Sequence, residues 1–432
     1  MSHSILLFLL IFSFFFLCLL RVPIAYALGI TSLWGLLQLD LSLHNMISHM
    51  LRMLDLFPLL AMPLFVLAGT IMTKSDITFR LIEVARALVG NLRGGLAYIN
   101  VVVSMFFAGI SGSSTADTSG IGSMLIPVMT SKGYPPNFSV AITAMSSTMG
   151  NIIPPSVYMV IYGAMGEVSI GALFLGGVIP GIMVGLSQMC VAYYMARRHN
   201  YPVEPPMTWG ERLHVVRKAI LALVIPVGLI GGIVFGYFTA TEAAAVLVLY
   251  ALFISLVVHK SLTLRQIPDV LGGVASFLAP ALIIVCCASV FGFLIGYLRG
   301  PDLIAGKIET ITTNPVAIIL LLVLFLLILG TFLSEIVTII IFIPIIQGLG
   351  DIANFHPVHL GVVVVMVLSL GLVTPPYGIC LLLSASIGKV KVLSAFKECI
   401  IFVVMFLVII GLVVILPGLT MWLPKLLMPK YL

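Results

Sequence analysis

The sequence predicts an all-α integral membrane protein built as two inverted-topology repeats, each with a re-entrant helical hairpin and a discontinuous helix. Three observations carry that expectation. Of 432 residues, 61% are hydrophobic and 8% charged, where an ordinary soluble domain carries roughly a quarter charged. Uncharged apolar runs close to the roughly 20 residues a membrane span needs recur along the whole chain. Four longer apolar stretches are broken midway, two by polar clusters and two by a Pro-Pro pair. Soluble and disordered classes are excluded.

Taken in order, the runs place spans near 4–20, 23–38, 57–73, 169–196, 218–237, 239–258, 274–298 and 398–420. The first lacks a basic leading region, and Arg21 follows it where a small-residue cleavage site would stand, so it is expected to be a retained span rather than a signal peptide. Stretches 95–131 and 314–349 carry the polar interruptions and predict hairpins. Stretches 137–165 and 358–387 carry Pro154-Pro155 and Pro375-Pro376 and predict broken helices. Segments 44–54, 76–92, 264–272 and 301–312 are short and amphipathic and should lie at the interfaces. The six cysteines sit inside apolar runs at no metal-ligand spacing, so they behave as small hydrophobes.

Charge sets the sides. If each hairpin returns to its own face, sixteen of the 21 Lys and Arg residues fall on one side, among them Arg21, Lys74, Arg80, Arg86, Lys132, Arg197, Lys218, Lys260 and Lys389. Arg52, Arg299, Lys307, Lys425 and Lys430 fall on the other. Cytoplasmic loops carry the basic excess, so both termini are expected on the external, periplasmic side. The hairpins then open from opposite faces, 95–131 cytoplasmic and 314–349 periplasmic. This bias also accounts for the net charge of +6 without an acidic partner; lipid is the expected surrounding, and no nucleic acid.

Prolines supply the repeat register. Pro63 and Pro127 are 64 residues apart, as are Pro280 and Pro344, an offset of 217 between the halves, while the Pro-Pro pairs are offset by 221. The second half, 218–432, is therefore expected to have gained four residues relative to 1–217, around Asn354 to Pro357. Gly150-Asn-Ile-Ile-Pro-Pro155 against Gly371-Leu-Val-Thr-Pro-Pro376 supports the match. Inverted repeats with discontinuous helices are the architecture of secondary transporters. Paired prolines that merely kink helices in a channel or sensor are the alternative.

Broken helices leave backbone groups that need partners inside the membrane, and a hard cation suits the oxygen ligands they offer. The first interruption is Ser111-Gly-Ser113-Ser114-Thr115-Ala-Asp117-Thr118-Ser119-Gly120, with Gly150-Asn151 as its partner segment. The second is Gly330-Thr331-Phe-Leu-Ser334-Glu335, with Gly371 to Thr374 ahead of the second Pro-Pro pair. Acidic residues at mid-membrane are functional candidates, which singles out Asp117; simple capping of the second arm would also account for it. Glu335 and Glu242 could instead sit at an interface.

Gly109-Ile-Ser111-Gly112 also matches the Gly-x-Ser-Gly string of intramembrane serine proteases. Such an enzyme needs a histidine base within reach, and all eight histidines lie at ends or in loops. An enzyme is not expected. No phosphate-binding Gly-x-x-x-x-Gly-Lys-Ser/Thr loop is present, so energy should come from an ion gradient. No resident cofactor is expected.

Several strings resemble the large membrane subunit, the DctM-like component, of tripartite ATP-independent periplasmic (TRAP) transporters. They are Ala61-Met-Pro63-Leu-Phe-Val-Leu-Ala-Gly69, the Ser-Gly-Ser-Ser-Thr-Ala-Asp tip, Ile152-Ile-Pro-Pro-Ser156, Thr241-Glu-Ala-Ala-Ala245 and Thr374-Pro-Pro-Tyr-Gly378. The resemblance runs from about Pro23 to Leu416. It implies an elevator-type transporter of the bacterial inner membrane. Sodium would be the coupling ion, and an organic anion (a C4-dicarboxylate, sialic acid, or a keto or sugar acid) the substrate. A small four-helix membrane subunit and a periplasmic substrate-binding protein would be its partners. It places a first sodium site at Ser111, Ser113, Asp117, Gly150 and Asn151, and a second at Ser334, Glu335, Gly371 and Thr374. Substrate would lie against Ser114, Thr115, Pro155, Ser156, Pro376 and Tyr377. Many relatives carry Asp near Glu335, which leaves that ligand's geometry open. A stand-alone sodium/dicarboxylate symporter of the same architecture is the alternative.

Overall fold

A computed structural model describes residues 3–431; Met1, Ser2 and Leu432, at the ends of the expected halves, lie outside the described residues. The described chain is helical from end to end. Helices α1 (His3–Leu19), α2 (Ile24–Gln38), α3 (His44–Leu54), α4 (Ala61–Lys74) and α5 (Ile77–Val89) lead into a hairpin of α6 (Gly95–Ser111) and α7 (Ser114–Ser131). A broken helix follows: α8 (Pro136–Ser147), a 3₁₀ turn at Thr148–Asn151, an unwound stretch, then α9 (Val157–Gly166). The long α10 (Ile170–Arg198) closes this half.

The second half follows. It comprises α11 (Trp209–Val234), α12 (Ala240–Phe253), α13 (Ile267–Tyr297) and α14 (Gly300–Ile311). A hairpin of α15 (Pro315–Gly330) and α16 (Glu335–Ile352) comes next, then a broken helix of α17 (Pro357–Gly371) and α18 (Ile379–Gly388). The chain ends in α19 (Val392–Ile415) and α20 (Gly418–Leu427). Among the described residues, seven helices are long and apolar enough to cross a membrane by themselves. The hairpin arms and half-helices are mostly too short to do so.

Local sequence explains the boundaries. Gly112, at φ +62°, ends α6 in the left-handed region that glycine enters without penalty. Ser113 then caps α7, and Ser156 caps α9 by accepting from the amide of Met159 at 3.3 Å. Glu242, which could have been a mid-membrane acid, instead completes a capping box with Thr239 at the start of α12, accepting from its backbone amide at 2.8 Å. The helix starts at Ser114, Val157 and Ala240 are thereby each specified by a side chain just before them.

Four expectations shift. Segment 264–272 is no separate surface helix: its end from Ile267 is continuous with α13, which runs 31 residues. The last span, expected at 398–420, begins at Val392 and bends at Pro417, after which α20 starts. The Pro-Pro pairs do not end the half-helices; α8 and α17 stop ahead of them, at Ser147 and Gly371, and the prolines lie in the unwound stretch.

The register also moves. The connections 132–135 and 353–356 are the same length, so no residues are gained there. The offset of 221 already holds where α7 and α16 begin, at Ser114 and Glu335. The extra residues lie upstream, two of them in the tip, where Thr331–Ser334 replaces Gly112–Ser113. Pro127 and Pro344 thus sit about one helical turn apart in equivalent arms. A four-residue slip keeps a residue on the same helix face, which is how the spacing imitated equivalence.

Packing follows an exchange pattern. Helix α2 lies on α13 as α12 lies on α4, and α7 lies on α18 as α9 lies on α16. The group α2, α4, α12 and α13 forms one wall, while α6–α9 and α15–α18 form the body that faces it. One end of the molecule gathers several of the basic residues assigned to a common side. Glu204 meets Arg86 at 2.8 Å and Lys132 at 3.5 Å, and Arg80 donates to the carbonyl of Lys218 at 3.2 Å.

Candidate ion and substrate site

The first hairpin tip is locked to the broken helix beside it by polar side chains. The Ser111 hydroxyl donates to Asp117 Oδ1, and the Ser113 amide donates to Ser111 Oγ at 3.3 Å. The Ser114 amide reaches Asn151 Oδ1 at 3.1 Å, and the Val157 amide reaches the Gly112 carbonyl at 3.2 Å. Ser111, Ser114, Asp117 and Asn151 are all fully buried. Gly150 is required here: a Cβ on it would stand 2.5 Å from Asp117 Oδ2 and 2.9 Å from the Ser114 nitrogen. Gly69 likewise lets α4 approach, since its Cβ would come within 3.1 Å of Ser111 Cα.

The second tip is held mainly by backbone. The Tyr377 amide donates to the Thr331 carbonyl at 2.9 Å, and Gly371 lies directly against the backbone of Gly330. Ser334 precedes α16 without a side-chain capping bond. Its carbonyl instead accepts from the Thr338 hydroxyl at 3.0 Å. The Thr374 hydroxyl turns back to the Leu370 carbonyl at 2.9 Å. Glu335 is buried, 4% exposed.

Between the tips lies a cavity of about 300 Å³, at the lower end of the range for small-ligand sites. Ser113 and Thr115 come from the first tip and Ser334 and Glu335 from the second. Tyr158 and Tyr377 follow from the two broken helices, and Met62, Val66, Phe277, Ala281 and Ile284 line it from the opposing wall. Of the residues expected at substrate, Thr115 and Tyr377 line this cavity. Ser114, Pro155, Ser156 and Pro376 do not line it; Ser114 opens α7 and the other three lie in the unwound stretches. Ser113, Ser334 and Glu335, expected at sodium, face it.

The donor set suits a hard cation. Asp117 Oδ2, Ser114 Oγ and Glu335 Oε1 are buried oxygens without a hydrogen-bond partner, and buried polar atoms ordinarily have one. Carboxylate and hydroxyl oxygens are what such an ion takes. Among the described residues no group of three His, Cys, Asp or Glu side chains is placed to hold a metal. The Ser111 hydroxyl is bonded to a carboxylate and not to an imidazole, so the protease string lacks its base. The opposing wall was missed by sequence reasoning: Met62, Val66 and Phe277 are apolar residues on apolar helices, and no pattern separates them from lipid-facing neighbours.

Paired helical hairpins, broken helices and a ligand-sized cavity between their tips define a polytopic α-helical membrane transporter. The family model described as the DctM component of the tripartite ATP-independent periplasmic transporter matches residues 11–419, and the chain belongs to that family. It is a permease subunit and not an enzyme. The sialic acid TRAP transporter large permease SiaM of Vibrio cholerae is 36% identical over 379 residues, 88% of this chain and 89% of that protein. The isethionate TRAP transporter permease DctMQ of Oleidesulfovibrio alaskensis is 33% identical, and the match spans 93% of this chain but 64% of that longer protein. In fold the chain is similar to the Alcanivorax borkumensis YdaH transporter, with a TM-score of 0.62 at 13% identity, covering 94% of this chain and 97% of that one.

Proposed function

We propose that this chain is the permease of a sodium-coupled importer of an organic anion, working with a small membrane subunit and a periplasmic binding protein in a bacterial inner membrane. The observation that carries the reading is the cavity held between two hairpin tips, each with a buried carboxylate oxygen that lacks a partner. A sodium ion beside each carboxylate would neutralise it, so that an anionic ligand could approach the tips without like-charge repulsion. Membership in the TRAP family favours a binding-protein-dependent cycle. The relatives named for sialic acid and isethionate both carry acids, which favours an anionic cargo. The longer DctMQ protein favours a second membrane subunit as partner.

Residues 1–217 and 218–432 form the two inverted repeats in this reading. The exchange of α2 on α13 with α12 on α4 supports it. Hairpins and broken helices would slide as one body against the wall of α2, α4, α12 and α13, an elevator motion supported by the position of the cavity on that seam. The basic face is cytoplasmic by the distribution of Lys and Arg.

The test is uptake of radiolabelled succinate, sialic acid and isethionate into proteoliposomes holding both membrane subunits, with binding protein outside. Uptake should need inward sodium and the binding protein. Uptake driven by a proton gradient in the absence of sodium would overturn the coupling. Uptake that ignores the binding protein would favour a stand-alone symporter. Lys430→Cys should react with a membrane-impermeant reagent from outside; labelling from the cytoplasmic side alone would reverse the orientation.

A further inference from the structure

A second cavity, of about 490 Å³, runs along the same helices as the first. The first touches α9 at Val157 and Tyr158, α13 at residues 277–284 and α16 at 335–336. The second touches α9 at Met165, α13 at 289–297 and α16 at 340–347. On all three helices it lies further toward the C-terminal end, by roughly 7 to 12 residues. At 1.5 Å of rise per residue the displacement is roughly 10–18 Å, in the external direction by the orientation proposed above.

The two positions differ in chemistry. The first cavity contains no Lys, Arg or His, and its only carboxylate is Glu335. Its wall across from the hairpins is apolar, formed by Met62, Phe277, Ala281 and Ile284 among others. The second is lined by Arg52 and His49 from α3, with Ser289 and Gln347. Arg52 and His49 sit on α3, which packs on α13 of the wall and is no part of the hairpin. The His49 ring stacks on Phe293 of α13 with centroids 4.1 Å apart, and the Ser289 hydroxyl donates to the His49 carbonyl at 3.3 Å. Helix α3 is thus fastened to α13, and Arg52 keeps its place if the hairpin body slides.

We infer that Arg52, with His49 beside it, forms an outer half-site for the acid group of the transported anion. The inference rests on the elevator reading. With the hairpin body one step further out, the pocket between Ser113 and Glu335 stands opposite Arg52, whose planar guanidinium matches a carboxylate or sulfonate through paired donors. In the arrangement described here the same pocket faces hydrocarbon, and the anion loses that partner. The wall therefore captures on the outside and lets go on the inside. Affinity becomes asymmetric without any change in the hairpin tips themselves.

The test uses the complete transporter in proteoliposomes, with radiolabelled succinate, sialic acid and isethionate as probes. Arg52→Gln should raise the external half-saturating anion concentration roughly tenfold or more, and Arg52→Lys should recover part of the loss. Half-saturation by sodium, by binding protein and by anion on the inner side should be unchanged. An unaltered external value overturns the inference, as does an equal rise on both sides or a rise seen only for the binding protein. A second arm needs no substrate. Phe293→Cys with Ser334→Cys should cross-link in sodium-loaded membranes, because the outer position brings the second tip to that level of α13. Absence of the cross-link overturns the two-position geometry. Failure of the wild type to take up any anion with sodium would instead defeat the proposed function, while leaving the cross-link result to stand.

Discussion

The two hairpin tips solve the same backbone problem with different materials. At the first, side chains close the break: Ser111 on Asp117, Ser114 on Asn151, and Gly150 left bare so that the carboxylate fits. At the second, main chain meets main chain, with Tyr377 bonded to Thr331 and Gly371 laid on Gly330. A side-chain lock fixes polar oxygens in one geometry, which suits an ion of defined size. A backbone lock leaves Ser334 and Glu335 free to face the cavity. The difference teaches that a shared topology does not imply a shared construction: both tips reach the cavity, through Ser113 and Thr115 and through Ser334 and Glu335, but only the first is closed by side chains.

The largest expected effect is at Asp117. Asp117→Ala should abolish sodium-driven uptake, and Asp117→Asn, which keeps an acceptor for Ser111, should raise half-saturation by sodium roughly 100-fold with little change in thermal unfolding. Sodium dependence unchanged in both variants would remove the ion from the first tip. Next comes a pair of glycines that sharpens the contrast. In Gly150→Ala the new methyl meets Asp117 Oδ2 at 2.5 Å, and overpacking of this kind costs about 1–3 kcal/mol. In Gly330→Ala the nearest atom is 3.6 Å away, ordinary contact, and thermal unfolding should barely move. Equal losses in the two variants would mean that the tips are built alike. Glu335→Gln is expected in between, weakening sodium or anion half-saturation by roughly tenfold, because its partner-free oxygen faces a cavity and not a closed lock.

Much of this contrast was readable before any coordinates. A run of hydroxyls inside 95–131 has no place in a lipid-facing helix, and the break falls at its start: α6 ends at Ser111 and α7 begins at Ser114, the rest of the run forming the first turns of α7. The Pro-Pro pairs likewise announced unwound stretches. Other features were not readable, for physical reasons. Proline spacing misplaced the register because a slip of four residues leaves a helix face unchanged. The absorption of 264–272 into α13 escaped notice because an amphipathic turn can lie at an interface or open a long helix, and only packing decides. The wall of the cavity escaped for a deeper reason. In a soluble protein, hydrophobic periodicity separates inside from outside, but Phe277 and its lipid-facing neighbours are equally apolar, so the pattern carries no such information.

The smallest expected effect concerns Thr374, which the family resemblance placed among the second set of sodium ligands. Its hydroxyl donates to the carbonyl of Leu370 at 2.9 Å, so it closes the end of α17 locally; Ser334 and Glu335 line the cavity, where Thr374 has no part. Thr374→Val keeps the branched shape and removes only that bond, whose net worth is about 1 kcal/mol. Half-saturation by sodium should change by less than about fivefold, well below the effect of Ser111→Ala, which takes away the partner of a buried carboxylate. A loss in Thr374→Val as large as that in Ser111→Ala would show that the second tip also holds its ion through side chains. The contrast between a side-chain lock and a backbone lock would then fall.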